Sequence, residues 1–192
     1  MSAQVLAGHE WWLASRAAGV VAMVLVSVSV GLGLANAARL FPPRARRALR
    51  AVHEQTALAA LISIGAHGLL LLPDHWLHPG AAGITVPFAI GYRPAATALG
   101  IVGGYLAALL GLSFYARRRI GPRLWRRLHM GTLAVYVLSV AHTLTAGTDA
   151  GTSWLHSLLV ITGLPVVVLL AGRMVRRGAP NRRARTASEI AS

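Results

Sequence analysis

"HMGTLAVYVLSVAH", His129 to His142, and "HEQTALAALISIGAH", His53 to His67, decide how this chain is read. Each is a largely apolar stretch with an imidazole at both ends, and the first has no charged residue between its histidines. A titratable ring inside a segment fit for lipid costs free energy, so it usually has a task.

The surrounding composition says that the segments are indeed fit for lipid. Of 192 residues 55% are hydrophobic and 12% charged, and the mean hydropathy is +0.58. That is too apolar for a soluble domain of this length. All 19 basic residues are arginine, and with five acids they leave a formal charge of +14. The absence of cysteine excludes disulfides, thiolate metal sites, iron–sulfur clusters and cysteine nucleophiles.

A membrane span takes about 20 mostly apolar residues. Five windows qualify: Trp12–Ala38, Ala51–Leu72, Ala95–Ala116, Leu124–Ala146 and Trp154–Val175. The first reads as a retained helix rather than a cleaved signal, because no basic cluster precedes it and it is too long. The expected fold is therefore all-α, a polytopic helical bundle of about five transmembrane helices. After it, residues 178–192 read as a disordered Arg-rich cytoplasmic tail.

Arginine placement orients the bundle. Arg39, Arg44, Arg46, Arg47 and Arg50 lie between spans one and two; Arg117, Arg118, Arg119, Arg123, Arg126 and Arg127 lie between three and four. Arg173, Arg176, Arg177, Arg182, Arg183 and Arg185 follow span five, and only Arg16 and Arg93 lie elsewhere. The positive-inside rule puts the three clusters in the cytoplasm, the N-terminus outside and the C-terminus inside, in the plasma (inner) membrane of the cell. It also accounts for the net charge without nucleic acid as a partner. Trp11, Trp12, Trp76 and Trp154 fall at outer edges and Trp125 at an inner one, as an aromatic belt requires.

Spans two and four both run from inside to outside. His53 and His129 follow the inner arginines closely, while His67 and His142 stand 14 and 13 residues further on, about 20 Å deeper at 1.5 Å per residue. The four rings thus form two pairs at two depths, the arrangement that holds two haems, each ligated by one histidine from each helix. A step of 14 leaves His53 and His67 about 40° apart around an ideal helix, but a step of 13 leaves His129 and His142 about 140° apart. Either span four is locally distorted or its rings reach their partners from different sides. A proton or metal-ion relay and plain packing are the other readings of such histidines.

These residues resemble the transmembrane haem domain of ferric reductases and NADPH oxidases, a group that includes the haem-binding membrane subunit of bacterial methionine sulfoxide reductase systems. The histidine spacing carries the resemblance, together with "LWRRLHMGTLAVYVLSVAH", "WWLASRAAGVVAMVLVSVSVGLGL" and "ITVPFAIGYRPAATALG", over residues 1–177. It implies an inner haem b on His53 and His129, an outer one on His67 and His142, and transmembrane electron transfer as an oxidoreductase membrane subunit. Many members have six spans or carry a flavin and nicotinamide domain, whereas only a short tail follows span five here. The implied donor is therefore a separate cytoplasmic flavin reductase, and the acceptor ferric iron, dioxygen or a redox protein on the outer side. "GLGLAN" at 31–36 fails the dinucleotide pattern.

Haem propionates need cationic or hydrogen-bonding partners. Arg16 is the outer candidate, followed by Arg93 and Tyr92; snorkelling to the headgroups is the alternative for Arg16. Arg50, Arg126 and Arg127 are the inner candidates. Gly100 and Gly104 form a GxxxG pair in a span that also carries Gly103 and Gly111, for close helix packing or for a wall against a haem face. Gly31 and Gly33 pose the same choice. His9, His75, His78 and His156 fall on the outer side, with Asp74 and Asp149; His75 and His78, three apart, would share a helix face and could take a ferric or cupric substrate. Glu54, beside His53, suits the inner headgroups or a proton path.

Two rivals to electron transfer from a cytoplasmic donor stay open at this stage. A quinol-oxidising cytochrome b also pairs its histidines across two helices but needs a quinone site. A histidine-based transporter, or a purely structural subunit, needs no paired depth and binds no porphyrin.

Overall fold

Small residues decide which helix faces meet. Ser15 and Ser27 are the side chains most fully withdrawn from the surface, and Ala60 and Ala98 are buried with Val166, Leu155, Val135, Met23 and Asp74. Large aliphatic ones point outward: Ile62 is 66% exposed, Leu109 67% and Ile161 69%. Such an inverted pattern suits a bundle whose exterior is lipid and whose helices associate through close packing of small side chains.

The structure, a computed structural model, describes residues 9–178. They form α1 (Glu10–Ala37), α2 (Pro43–Leu69), α3 (Gly80–Thr85), α4 (Pro94–Ile120), α5 (Pro122–His129), α6 (Thr132–Ala146) and α7 (Ser153–Gly178), with no strand among them. Apart from Gly178, the expected tail at 178–192 lies outside the described residues. Proline opens α2, α4 and α5 at the first turn, where its missing N–H leaves no orphan donor. Inside α7, Pro165 breaks the ladder instead.

Four helical segments are long and apolar enough to cross a membrane: Glu10–Ala37, Pro94–Ile120, Pro122–Ala146 and Ser153–Arg176. The protein is a helical membrane protein. The remaining expected span falls on α2, which is 27 residues long but less apolar. Arg44, Arg46, Arg47 and Arg50 fill its first turns, and His53, Glu54, Gln55 and Thr56 follow.

α2 packs chiefly against α1, and α4 against α6, while α1 also meets α7 and α2 meets α4. Both main pairs are antiparallel: Ser15 meets His67 while Ser29 meets His53, and Ala96 meets His142 while Leu110 meets Gly131. Ala107, Leu110 and Val135 make the central apolar cluster, with Leu61, Ile64 and Leu106 packed on it.

Candidate functional site

The two histidine pairs predicted from spacing meet in space. The rings of His53 and His129 have centroids 6.0 Å apart at 88°, and those of His67 and His142 lie 6.1 Å apart at 72°. Each pair joins one ring from α2 with one from the α5–α6 segment.

Three of the four rings are held in the same way. His67 Nδ1 lies 2.8 Å from Ser15 O, His53 Nδ1 2.9 Å from Ser29 O, and His142 Nδ1 2.8 Å from Ala96 O. A carbonyl only accepts, so each Nδ1 carries the hydrogen and donates it. In a neutral imidazole that leaves Nε2 with the lone pair, the form a metal takes. A hydrogen bond from the far ring nitrogen is the usual way in which proteins orient a ligating histidine.

Each accepting carbonyl belongs to a helix, where it also serves the N–H four residues on, and that fourth residue is glycine every time: Gly19, Gly33 and Gly100. A Cβ on Gly19 would stand 2.9 Å from His67 Nδ1, and one on Gly100 2.7 Å from His142 Nδ1. On Gly33 it would stand 3.4 Å from His53 Cε1. The glycines therefore open the carbonyls to the rings. Two serines add to the hold on α2: Ser15 Oγ donates to His67 O at 2.7 Å, and Ser29 Oγ lies 3.2 Å from His53 Nδ1.

The same geometry decides the glycine question. Gly33 and Gly100 back imidazole rings, whereas Gly104 faces Ile64, Gly103 Leu138, Gly111 Leu61 and Gly31 Val166, all in helix packing.

The fourth ring differs. Fourteen residues along α4 from Ala96 and Gly100 stand Leu110 and Phe114, whose side chains pack on Gly131 and Trp125 and fill the space a clamp would need. Leu110 O already accepts from Ser113 Oγ at 2.6 Å. His129 Nδ1 is buried with no hydrogen-bond partner among the described residues. Its ring is stacked instead on Trp125, with centroids 4.9 Å apart and planes at 25°. Trp125 Nε1 is likewise buried without a partner among the described residues.

A local distortion answers the azimuth problem of span four. Between α5 and α6, Met130 N donates to Arg127 O, Gly131 N to Leu128 O, Leu133 N to Met130 O and Ala134 N to Gly131 O, all bonds of the three-residue type. Met130 and Gly131 have ψ of −20° and −14°. A residue wound at 3₁₀ pitch turns about 120° rather than about 100°, so about four of them recover about 80° of the misalignment. The 13-residue step then brings both rings toward the same side.

The outer pair opens on a cavity of about 690 Å³, lined mostly by apolar groups of α1, α2, α4 and α6 and containing His67 and His142. That falls in the range of about 300–1,000 Å³ typical of cofactor sites. Arg16 lines it but is already paired with Asp149, through Nη2 to Oδ1 at 2.6 Å and Nε to Oδ2 at 2.5 Å. Two of the five guanidinium N–H groups are thereby used, and three stay available. Tyr92 OH donates to Ala146 O at 3.3 Å. Arg93 is exposed, donates to Thr145 O at 2.6 Å and does not line this cavity. Among the inner candidates, Arg50, Arg126 and Arg127 are all exposed on their helices.

The remaining outer-side histidines do not gather. His9 and His156 are exposed. The rings of His75 and His78 lie 6.2 Å apart, but residues 75–77 form a turn, not a helix on which the two would share a face, with His78 at φ 43°. Asp74 is buried beneath them and accepts from Leu77 N at 2.7 Å, closing that turn. Glu54 is exposed beside His53. Nowhere among the described residues do three or more His, Cys, Asp or Glu converge as a set able to hold a metal ion. Compared with family models, curated proteins and solved structures, the chain matches none.

Proposed function

We propose that this protein carries single electrons across a membrane through two haems b, His53 and His129 ligating the inner one and His67 and His142 the outer. The observation that carries the reading is the doubled ring pair, three of whose four Nδ1–H groups are committed to backbone carbonyls. Two imidazoles bound to one metal from opposite sides, with bonds of about 2.0–2.1 Å and ring centres about 1.1 Å beyond, have centroids about 6.3 Å apart. The observed 6.0 and 6.1 Å fit that spacing. A porphyrin leaves just two axial positions for the protein, whereas a bare zinc ion takes three or four protein ligands. The pairing into twos favours the porphyrin over an ion relay.

In this reading α2 is the fifth span. Its early arginines stand at the inner face, and its polar His53–Thr56 segment lies at the level of the inner site. The arginine clusters put the N-terminus outside and the C-terminus inside, in the plasma membrane. When bound, the haems supply reversible one-electron chemistry. The chain supplies the rest. Ser15, Ser29 and Ala96 orient the ligand rings through their carbonyls, the apolar wall of α1 and α4 excludes water, and Arg16 keeps donors free for an anionic propionate. A cytoplasmic flavin reductase is the donor and ferric iron, dioxygen or a redox protein the outer acceptor. Outward movement of an electron runs with a membrane potential that is negative inside, by about 2.3 kcal/mol per 100 mV for a full crossing. This assignment agrees with the resemblance to the ferric reductase and NADPH oxidase haem domains.

The test is an optical spectrum of the detergent-purified chain, oxidised and dithionite-reduced, with haem extracted and counted. Two haems b per chain with low-spin bands are expected. A chain devoid of haem, from a host with an ample supply, overturns the assignment and leaves the transporter reading in front.

A further inference from the structure

The fourth histidine invites a question that the pairing alone does not answer. Three rings are fixed by a carbonyl on a neighbouring helix with a glycine beneath. His129 has neither. Among the described residues its buried Nδ1 has no partner, and its one specific ring contact beyond His53 is the face of Trp125. Behind it, Phe114 meets Trp125 edge-on with centroids 6.1 Å apart, and the Arg117 guanidinium sits 3.7 Å over Phe114. His129 also lies at the end of α5, against the irregular 130–131 turn, while His53 and His142 lie inside regular helices and His67 lies in the last turn of α2.

We infer that the inner site, unlike the outer, is openable: Trp125 alone positions His129, and a small neutral π-acceptor ligand can take that histidine's place on the inner haem. The inference rests on the haem assignment. Its physical basis is the difference in ligand support. An Nδ1–H bonded to a carbonyl both locks the ring azimuth and raises the basicity of Nε2, and losing such a partner typically costs about 10–100-fold in metal affinity. His67 and His142 both have this support, and His53 has it too. A stacked indole restrains the tilt of the His129 ring but neither accepts its proton nor strengthens its lone pair. Rotation or withdrawal of His129 needs only the irregular turn behind it to give, whereas His142 would have to leave its carbonyl and clear the helix around Gly100.

Carbon monoxide on the dithionite-reduced, haem-loaded, full-length protein is the probe, because it competes directly with an axial histidine. In the unaltered chain, one haem of the two is expected to take carbon monoxide and the other to resist it. Trp125→Leu should raise the apparent affinity of the responsive haem by about tenfold or more. It should also add a high-spin ferric signal in low-temperature electron paramagnetic resonance, with the second low-spin signal unmoved. Trp125→Phe keeps a ring against His129 and should behave as the unaltered chain.

Equal carbon monoxide binding at both haems, or at neither, overturns the inference, as does a Trp125→Leu protein with unchanged affinity and spin state. A Trp125→Leu protein that loosens both haems together points to general loss of packing and also overturns it. In all these cases two haems are present, so the electron-transfer assignment survives. A chain that holds no haem removes both.

Discussion

The outer and inner histidine pairs hold their α2 rings with the same parts, supplied by α1, and diverge on α4, which holds the partner ring of one pair only. On α1, Ser15 with Gly19 serves the outer ring His67, and Ser29 with Gly33 serves the inner ring His53. The repeat of 14 residues on α1 matches the 14 between the two histidines on antiparallel α2, so both clamps fit without distortion. α4 offers one clamp, Ala96 with Gly100, and then Leu110 and Phe114 where a second would stand. The outer pair is thus held on both sides by main-chain carbonyls, which no side-chain motion can remove, and the inner pair on one. The difference teaches that a ligand's identity and depth are separable from its rigidity, which belongs to the neighbouring helix.

Removing a ligand is the harshest way to probe that contrast. His67→Ala and His142→Ala should each cut haem content from two to one per chain and abolish the outer low-spin signal. His53→Ala should do the same to the inner one, and the outcome is read by extracted haem and paramagnetic resonance. Should any of the three leave both signals intact, the assignment of pairs is wrong.

Closing a clamp comes next in size. Gly100→Ala drives a methyl group to 2.7 Å from the His142 ring and Gly19→Ala to 2.9 Å from that of His67, whereas Gly33→Ala meets His53 at 3.4 Å. Overpacking of this kind costs about 1–3 kcal/mol. Outer haem retention should therefore fall in the order Gly100→Ala, then Gly19→Ala, with Gly33→Ala mildest and confined to the inner haem. Haem loss to apomyoglobin would rank them.

Smaller effects attend the serines. Ser15→Ala removes the hydroxyl that donates to His67 O while sparing the carbonyl that holds Nδ1, so a loss of about 1 kcal/mol in thermal stability is expected with both haems retained. A shift in the outer potential alone, seen by redox titration, would show that the hydroxyl also touches ligand strength. Least of all, Asp149→Asn frees Arg16 at the rim of the outer cavity. A partly exposed pair contributes about 0–1 kcal/mol, and the inner site should not respond.

Much of this was legible in the residues. Hydropathy and arginine placement predict the helices, and four of the five expected spans fall on helices apolar enough to cross. α2 departs because its start is a solvated arginine face and its site-bearing segment is polar. The four histidines were legible from spacing alone. The clamps could have been found as well, since "SRAAG" at 15–19 and "SVGLG" at 29–33, each a serine with a glycine four on, recur at the histidine interval. Each small residue with a glycine four on reads equally as a helix-packing motif, however, and only the position of the ring tells them apart. Trp125 was harder still, because a tryptophan beside arginines has the composition of an interface anchor whether it faces headgroups or a histidine.

By itself the sequence determined that the chain lives in a membrane, which ends face the cytoplasm in the reading proposed here, and that four of its eight histidines stand at two levels along two helical segments. Those properties follow from transfer free energies and from the fixed rise of a helix, which depend on residue type and order alone. Only the tertiary structure decided which carbonyls receive the Nδ1–H groups, that the 13-residue step is rescued by a 3₁₀ turn, and that His129 rests on Trp125 without a hydrogen bond. Such matters turn on the azimuth at which two helices meet, and azimuth is settled by packing between segments far apart in the chain.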